Sequence, residues 1–340
     1  MIVDVHAHVL VPELARGPGR TEPWRPEASR PASGPTVVSL RGRVLTSVVA
    51  EMCDVDAILD ASAAIGVDHV VLSPWVAVLP DGLDPAAAAE VCQVQNQALA
   101  GAVAAHPGRL DAFGAVTLAR PEAAADQVAA AVAAGLVGVE VTPKVGGDWL
   151  GADRFSPFWA AAEQAGAAVF VHPATQGLGL DVLGQHYLWN AVGNPVETAV
   201  GAAHLVLSGV LERHPGLVVI LAHGGGVLPA VAGRLGRAAR VRPETAAKLK
   251  EGLAPSLQRL YFDTIVHDTA TLASLVAWAG SDHVLLGSDR PFDMGTPDPV
   301  GEVRALGLDP GDEARILGGN AAGLLGLGSD SVAGPAPAPA

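Results

Sequence analysis

Five side chains in this sequence occupy positions suited to binding a metal ion or moving a proton. His6 and His8 close the apolar run IVDVHAH, His172 closes AVFVH, His223 closes LVVILAH and Asp289 closes HVLLGSD. Residues two apart on an extended strand point to the same side. His6 and His8 are therefore expected to face one point and share one ion. Imidazole nitrogen and carboxylate oxygen are ligands for a divalent cation, and imidazole is also the commonest general acid or base. A set of buried polar groups at the ends of four apolar runs has no packing rationale, because each would need a partner.

Something must hold these run ends together. Eight compact apolar runs read as parallel strands buried on both faces: 2–8, 69–74, 110–116, 138–143, 168–173, 217–224, 260–265 and 283–289. Between them lie Ala-rich helical stretches such as 121–135 and 158–166, several closed by glycine. Eight strand–helix units predict an α/β fold, a (β/α)8 TIM barrel whose catalytic groups gather at the carboxyl ends of the strands. A doubly wound open sheet is the alternative architecture, but no GxGxxG follows the first strand.

Position along the strands also sorts the other histidines. His69 and His283 begin strands, His106 and His214 precede Pro-Gly at helix ends, and His204 sits in a helical stretch; all five are read as structural. His186 and Trp189, after the fifth strand, and His267, after the seventh, are candidates for substrate contact. Residues 9–50 break the barrel rhythm. They are expected to form an inserted hairpin, with Arg41-Gly42 near its tip, over the mouth of the barrel. Residues 1–327 are read as one domain and 328–340 as a disordered Pro/Ala tail.

Bulk properties narrow the function classes. A formal net charge of −14 makes nucleic acid and anionic membrane poor partners. Cys53 and Cys92 form no CxxC pair and are read as buried small hydrophobes. The N-terminus has no basic segment leading into an apolar run, and no apolar stretch is long enough for a bilayer, so a cytoplasmic location is expected.

Taken together, DVHAH (4–8), VFVHPA (169–174), LAHGGG (221–226) and LLGSDRPF (285–292), with the segment 194–226, resemble the amidohydrolase superfamily. The sequence is most similar to the branch of aminocarboxymuconate-semialdehyde and γ-resorcylate decarboxylases, over residues 1 to about 327. That resemblance implies one divalent metal, zinc first and manganese second, held by His6, His8, His172 and Asp289, with His223 as the base beside it. It also implies a homodimer, and a substrate-carboxylate arginine that corresponds to Arg41 or Arg43. Two-metal members carry a carboxylated lysine at the end of the fourth strand. Here that strand ends with Glu140 and Thr142, and Lys144 falls in the loop beyond, which favours one metal. Arg290, directly after Asp289, either binds an anionic substrate or pairs with a surface carboxylate.

The expected activity is a metal-dependent, non-oxidative decarboxylation (a carboxy-lyase) of a small unsaturated or aromatic acid. Asp289 is the alternative proton donor to His223, and no nicotinamide, flavin or pyridoxal cofactor is needed. Hydrolysis of an amide, lactone or cyclic imide, or a C–C hydratase or hydrolase reaction, fits the same site, because fold alone does not choose chemistry. A non-catalytic barrel serving as an interaction module is the reading from outside enzymology, and the intact ligand set argues against it.

Overall fold

The computed structural model describes residues 1–29, 37–40, 43–45, 50–174 and 177–328. All eight predicted strands are present: β1 (Val3–Val9), β2 (His69–Pro74), β3 (Leu110–Ala115), β4 (Gly138–Val141), β5 (Ala168–Val171), β6 (Val218–Leu221), β7 (Leu260–Asp263) and β8 (Val284–Leu285). They pair in chain order as one parallel sheet. The eighth is shorter than expected: after Leu285 the chain bonds back onto β1, and also to Ile316 and Thr264. Val5 N–H donates to Leu286 O (2.9 Å), Asp289 N–H to His6 O (2.7 Å) and His8 N–H to Arg290 O (2.7 Å). These bonds bring the last strand to the first, and the sheet closes as the expected (β/α)8 barrel.

Seven crossover helices follow the first seven strands: α1 (Val55–Ala64), α2 (Pro85–Ala105), α3 (Pro121–Ala133), α4 (Ser156–Ala165), α5 (Asn194–Leu207), α6 (Leu228–Val241) and α7 (Thr269–Ala279). Local chemistry starts and stops them. Asp54, Asp84 and Asp268 accept N-terminal amides of α1, α2 and α7, and Gly166 ends α4 at φ 64°. Aromatics are scarce, so most of the core between barrel and helices is Val, Leu and Ala. Inside the barrel, Val3, Val5, Val71, Phe113, Phe170 and Ile220 form a second cluster. The Phe113 and Phe170 rings stack at 5.4 Å, and the edge of His6 rests on Phe170 at 4.9 Å. This apolar plug is the floor of the site.

The segment after β1 does form a hairpin. Strand Val37–Leu40 pairs with Arg43–Leu45 in antiparallel register, with Leu40 opposite Arg43. A third strand, Glu27–Ser29, joins its other edge and was not anticipated. Val38 is fully buried against the core, whereas Val44 is exposed at the cavity described below. Arg41, Gly42 and the tail 329–340 lie outside the described residues, and nothing is described of the Arg43 side chain. No helix among the described residues is long and apolar enough to cross a membrane.

One buried carboxyl in the fold has a measurable cost. Glu197, in the first turn of α5, is 1% exposed, and burial pushes its carboxyl up to about 7, partly offset by the Ala174 backbone and Lys144. The unfolded chain releases this proton near 4.5 while the folded chain keeps it to about 7, so stability falls as pH rises through that window. Glu197→Gln is expected to stabilise the protein on the order of 3 kcal/mol at pH 8 and hardly at pH 4. Urea unfolding at the two pH values measures this; an equal effect at both would show that the carboxyl is not held neutral.

Candidate metal centre

His6 and His8, from β1, His172, directly after β5, and Asp289, after β8, converge above the apolar plug. His6 Nε2 lies 3.0 Å from His8 Nε2 and 3.5 Å from Asp289 Oδ1; His8 Nε2 lies 3.3 Å from the same oxygen. The His172 ring stands edge-on to His8 at 4.8 Å and to His6 at 5.1 Å. The donor atoms of His6, His172, His223 and Asp289 all lie within 4.8 Å of one another. Ligands at about 2.05 Å in a tetrahedron stand about 3.3 Å apart, close to the separations at Asp289.

The other ring nitrogen of each imidazole decides what the cluster can hold. His6 Nδ1 donates to Asp263 Oδ2 at 2.6 Å. His172 Nδ1 donates to the Pro173 carbonyl at 3.0 Å, which can only accept. Ser73 Oγ gives its one hydrogen to Ala7 O (3.2 Å), so it accepts from His8 Nδ1, 3.1 Å away. All three rings therefore keep Nδ1–H outward and turn an Nε2 lone pair inward. His172 Nε2 and Asp289 Oδ1 are buried without a hydrogen-bond partner among the described residues. Buried acceptors without donors, aimed at one point, fit a cation there.

The electrostatics agree. Burial pushes His172 well below the ordinary histidine value, reinforced by His8, His6 and His223 around it, and burial also lowers His8. Both are neutral and free to ligate. Burial alone would raise the Asp289 carboxyl, but the imidazoles of His223, His8 and His6 outweigh it and hold it well below the usual carboxylate range. Burial opposes the charge on His6 too, yet the Asp263 bond and the charges of Asp289, Asp263 and Asp4 raise it overall. A bound cation would take the place of that His6 charge.

Asp263, the last residue of β7, was missed in the sequence. Besides His6 it accepts backbone N–H groups of His223 (2.9 Å), Gly224 (2.8 Å) and Ile265 (3.0 Å). Its one signal was a carboxylate closing the run LYF, the same signal that marked the other strand ends. Asp263→Asn is expected to weaken metal affinity about 10- to 100-fold with the fold intact. Competition with a chromogenic chelator reads this, and unchanged affinity would reduce Asp263 to a loop anchor.

His223 begins the turn HGGG. Its φ is 56°, and all three glycines have positive φ. A Cβ on Gly226 would sit 1.9 Å from Pro195 O, and one on Gly224 would sit 2.5 Å from Val266. The chain thus passes tightly under α5 and tips the imidazole into the mouth. His223 Nε2 lies 3.6 Å from Asp289 Oδ2, while its buried Nδ1 has no partner among the described residues. Five described non-glycine residues have left-handed backbones: His186 and Tyr187 after β5, His223 after β6, His267 after β7 and Asp289 after β8. Such strain is uncommon, and here it is confined to the rim that carries the cluster.

Above the cluster lies a cavity of about 390 Å³, lined by His172, His223 and Asp289 below and by Trp75, Tyr187, Trp189, Phe292 and Val44 around. The Trp189 ring lies 4.9 Å from that of Tyr187. His267 lines a smaller adjoining lobe of about 230 Å³ that shares His223 and Asp289. Arg290 was expected either to bind an anionic substrate or to pair with a surface carboxylate. Its guanidinium lies 4.0 Å from Glu51, it does not line the cavity, and its backbone closes the barrel.

The histidines read as structural have ordinary partners. His69 Nε2 lies 2.9 Å from Asp111, His106 Nδ1 donates to Ala102 O, His204 stacks on Trp149 and His283 on Tyr261. His214 bonds Glu163 rather than a helix carbonyl. Lys144 is directed toward the Trp149 ring and is no part of the cluster. Glu140, the penultimate residue of β4, lies 3.9 Å from His172 Nδ1 and is buried, and that burial pushes its carboxyl well above the ordinary range.

A family profile described as amidohydrolase matches residues 3–327. The chain is 31% identical to 2-amino-3-carboxymuconate-6-semialdehyde decarboxylase of Dictyostelium discoideum, over 77% of this chain and 73% of that protein. It is 31% identical to the γ-resorcylate decarboxylase of Rhodococcus jostii, over 61% and 68%. A dihydroxybenzoic acid decarboxylase of Polaromonas sp. JS666, solved with manganese and 2-nitroresorcinol, shares the fold with a TM-score of 0.78 at 22% identity, over 96% of both chains. With a profile match over nearly its full length and a relative 31% identical over 77% of it, the chain belongs to the amidohydrolase family.

Proposed function

We propose that this protein is a metal-dependent decarboxylase of a small aromatic or unsaturated carboxylic acid. The observation that carries the reading is His223: an imidazole with one partnerless nitrogen, poised beside three inward-facing histidine lone pairs and Asp289, under an aromatic-lined cavity. The relatives reported above are all decarboxylases by name.

The reaction is R–COO⁻ + H⁺ → R–H + CO₂. The bond from carbon to the carboxyl group breaks, its electron pair stays on carbon, and a proton must arrive there. A divalent ion held by His6, His8, His172 and Asp289 would supply a positive charge that polarises a substrate oxygen. The residues do the rest. Trp75, Trp189 and Phe292 confine a flat ring and exclude water, and His223 carries the proton to the carbon. Asp289 serves as ligand rather than donor in this scheme, since its surroundings keep it ionised. Arg41 or Arg43, on the hairpin whose Val44 reaches the cavity, is the proposed clamp for a carboxylate.

Three imidazoles and one carboxylate suit zinc, and manganese is the alternative. A homodimer and a cytoplasmic location belong to the same proposal and rest on family resemblance. The deciding experiment measures CO₂ release by zinc- and manganese-loaded protein over hydroxybenzoates and carboxymuconate-like acids. CO₂ from at least one acid supports the reading. Turnover of lactones, amides or cyclic imides with no CO₂ from any acid would make the protein a hydrolase instead.

A further inference from the structure

One carboxyl in the cavity wall has no part in this reaction. Asp81 follows β2 and lines the cavity, beside Thr142, which follows β4. They lie on the arc of the rim between β1 and β5, which contributes no side chain to the metal centre. Thr142 Oγ1 lies 2.9 Å from Asp81 Oδ2 and 3.2 Å from the Lys144 carbonyl. Its single hydrogen cannot serve both acceptors well. Thr142 therefore fixes the direction of the carboxyl without fully satisfying it. Asp81 Oδ1 makes no hydrogen bond to any described residue.

Among the described residues lining the cavity there is no lysine or arginine. Burial raises the Asp81 carboxyl above its ordinary value, and the Thr142 hydroxyl only partly offsets this. A carboxyl in such a wall is best satisfied by a hydrogen-bond donor carried by whatever fills the cavity. An alkyl group would leave it stranded, and a second carboxylate would repel it.

We propose that Asp81, oriented by Thr142, recognises a hydroxyl or amino substituent on the substrate ring, on the side of the cavity walled by the ends of β2 and β4. Acids carrying only a methyl group or a second carboxylate at that position are discriminated against. The inference leans on the decarboxylase reading for the reacting end of the substrate, but recognition can be measured without turnover.

Trp75 and Trp189 line the cavity, so ligand binding is followed by quenching of tryptophan fluorescence. The probes are resorcinol, 3-aminophenol, 3-methylphenol and 3-hydroxybenzoate. Resorcinol and 3-aminophenol are expected to bind at least about tenfold tighter than the other two, the worth of one well-made hydrogen bond to a charged group. Asp81→Ala should level the four to within about twofold. Asp81→Asn, which fills the same space, should reduce the ratio at least about threefold, and it keeps the test valid if the alanine variant does not fold. Equal binding of all probes by the unmodified protein, or a ratio unchanged in both variants, overturns the proposal.

CO₂ release from the corresponding acids separates this idea from the one beneath it. The discrimination should appear mainly in KM. If no acid releases CO₂ but the binding ratio collapses on substitution, Asp81 is a recognition residue in an enzyme of other chemistry. If CO₂ is released with the same substrate preference in Asp81→Ala, the decarboxylase stands and Asp81 is not its selector.

Discussion

Replacing His172 by alanine is expected to empty the metal site and lower kcat/KM on the order of 10³-fold or more, the scale on which metal polarisation acts. His172 is 5% exposed, neutral by burial, and its Nε2 has no other partner among the described residues. Removing it leaves His6, His8 and Asp289, one ligand short of a closed set. The fold should survive, because among the described residues the His172 side chain makes one hydrogen bond, to the neighbouring Pro173 carbonyl. The measurement is metal content after dialysis, alongside thermal unfolding of the variant and of chelator-treated parent protein. Those two should melt close together. A variant that retains about one ion per chain and full activity would remove His172 from the centre.

The second large effect separates ligand from base. His223→Asn is expected to keep the metal and lose about 10²- to 10⁴-fold in kcat, the range for removing a positioned general acid or base. Asparagine is the right replacement, because residue 223 has φ 56°, which asparagine tolerates far better than alanine. The test is sharp because His223 offers a ligand atom in the same close group as His6, His172 and Asp289. Distance alone does not assign its role. The proposed base role rests on the other ring nitrogen: His6, His8 and His172 each bury an Nδ1–H bond that turns Nε2 inward, whereas His223 Nδ1 is bonded to nothing described. Metal loss in His223→Asn would make it a ligand and leave the proton without its proposed carrier.

Much of this was legible in the residue order. Each of the eight strands is a short apolar run, and a polar residue at the carboxyl end of such a run emerges at the rim. His6, His8, His172, His223 and Asp289 could therefore be placed without coordinates. The helices were equally readable, since Asp N-caps and a C-terminal glycine act over three or four residues. The hairpin showed in its alternation, while its third strand, Glu27–Ser29, did not, because a three-residue exposed strand buries nothing that leaves a pattern.

What no reading of the order supplied are the partners. Asp263 grips His6 from 257 positions away, Ser73 orients His8 from 65, and Thr142 aims Asp81 from 61. Arg290 was legible as a cation beside Asp289, but whether it faces substrate or Glu51 depends on how β8 closes against β1. The sequence by itself determined which side chains sit at the rim, because strand periodicity and helix caps act between near neighbours. Only the tertiary structure decided which way each one points and what it touches, because those contacts form when a barrel closes and brings chain ends nearly three hundred residues apart within hydrogen-bonding distance.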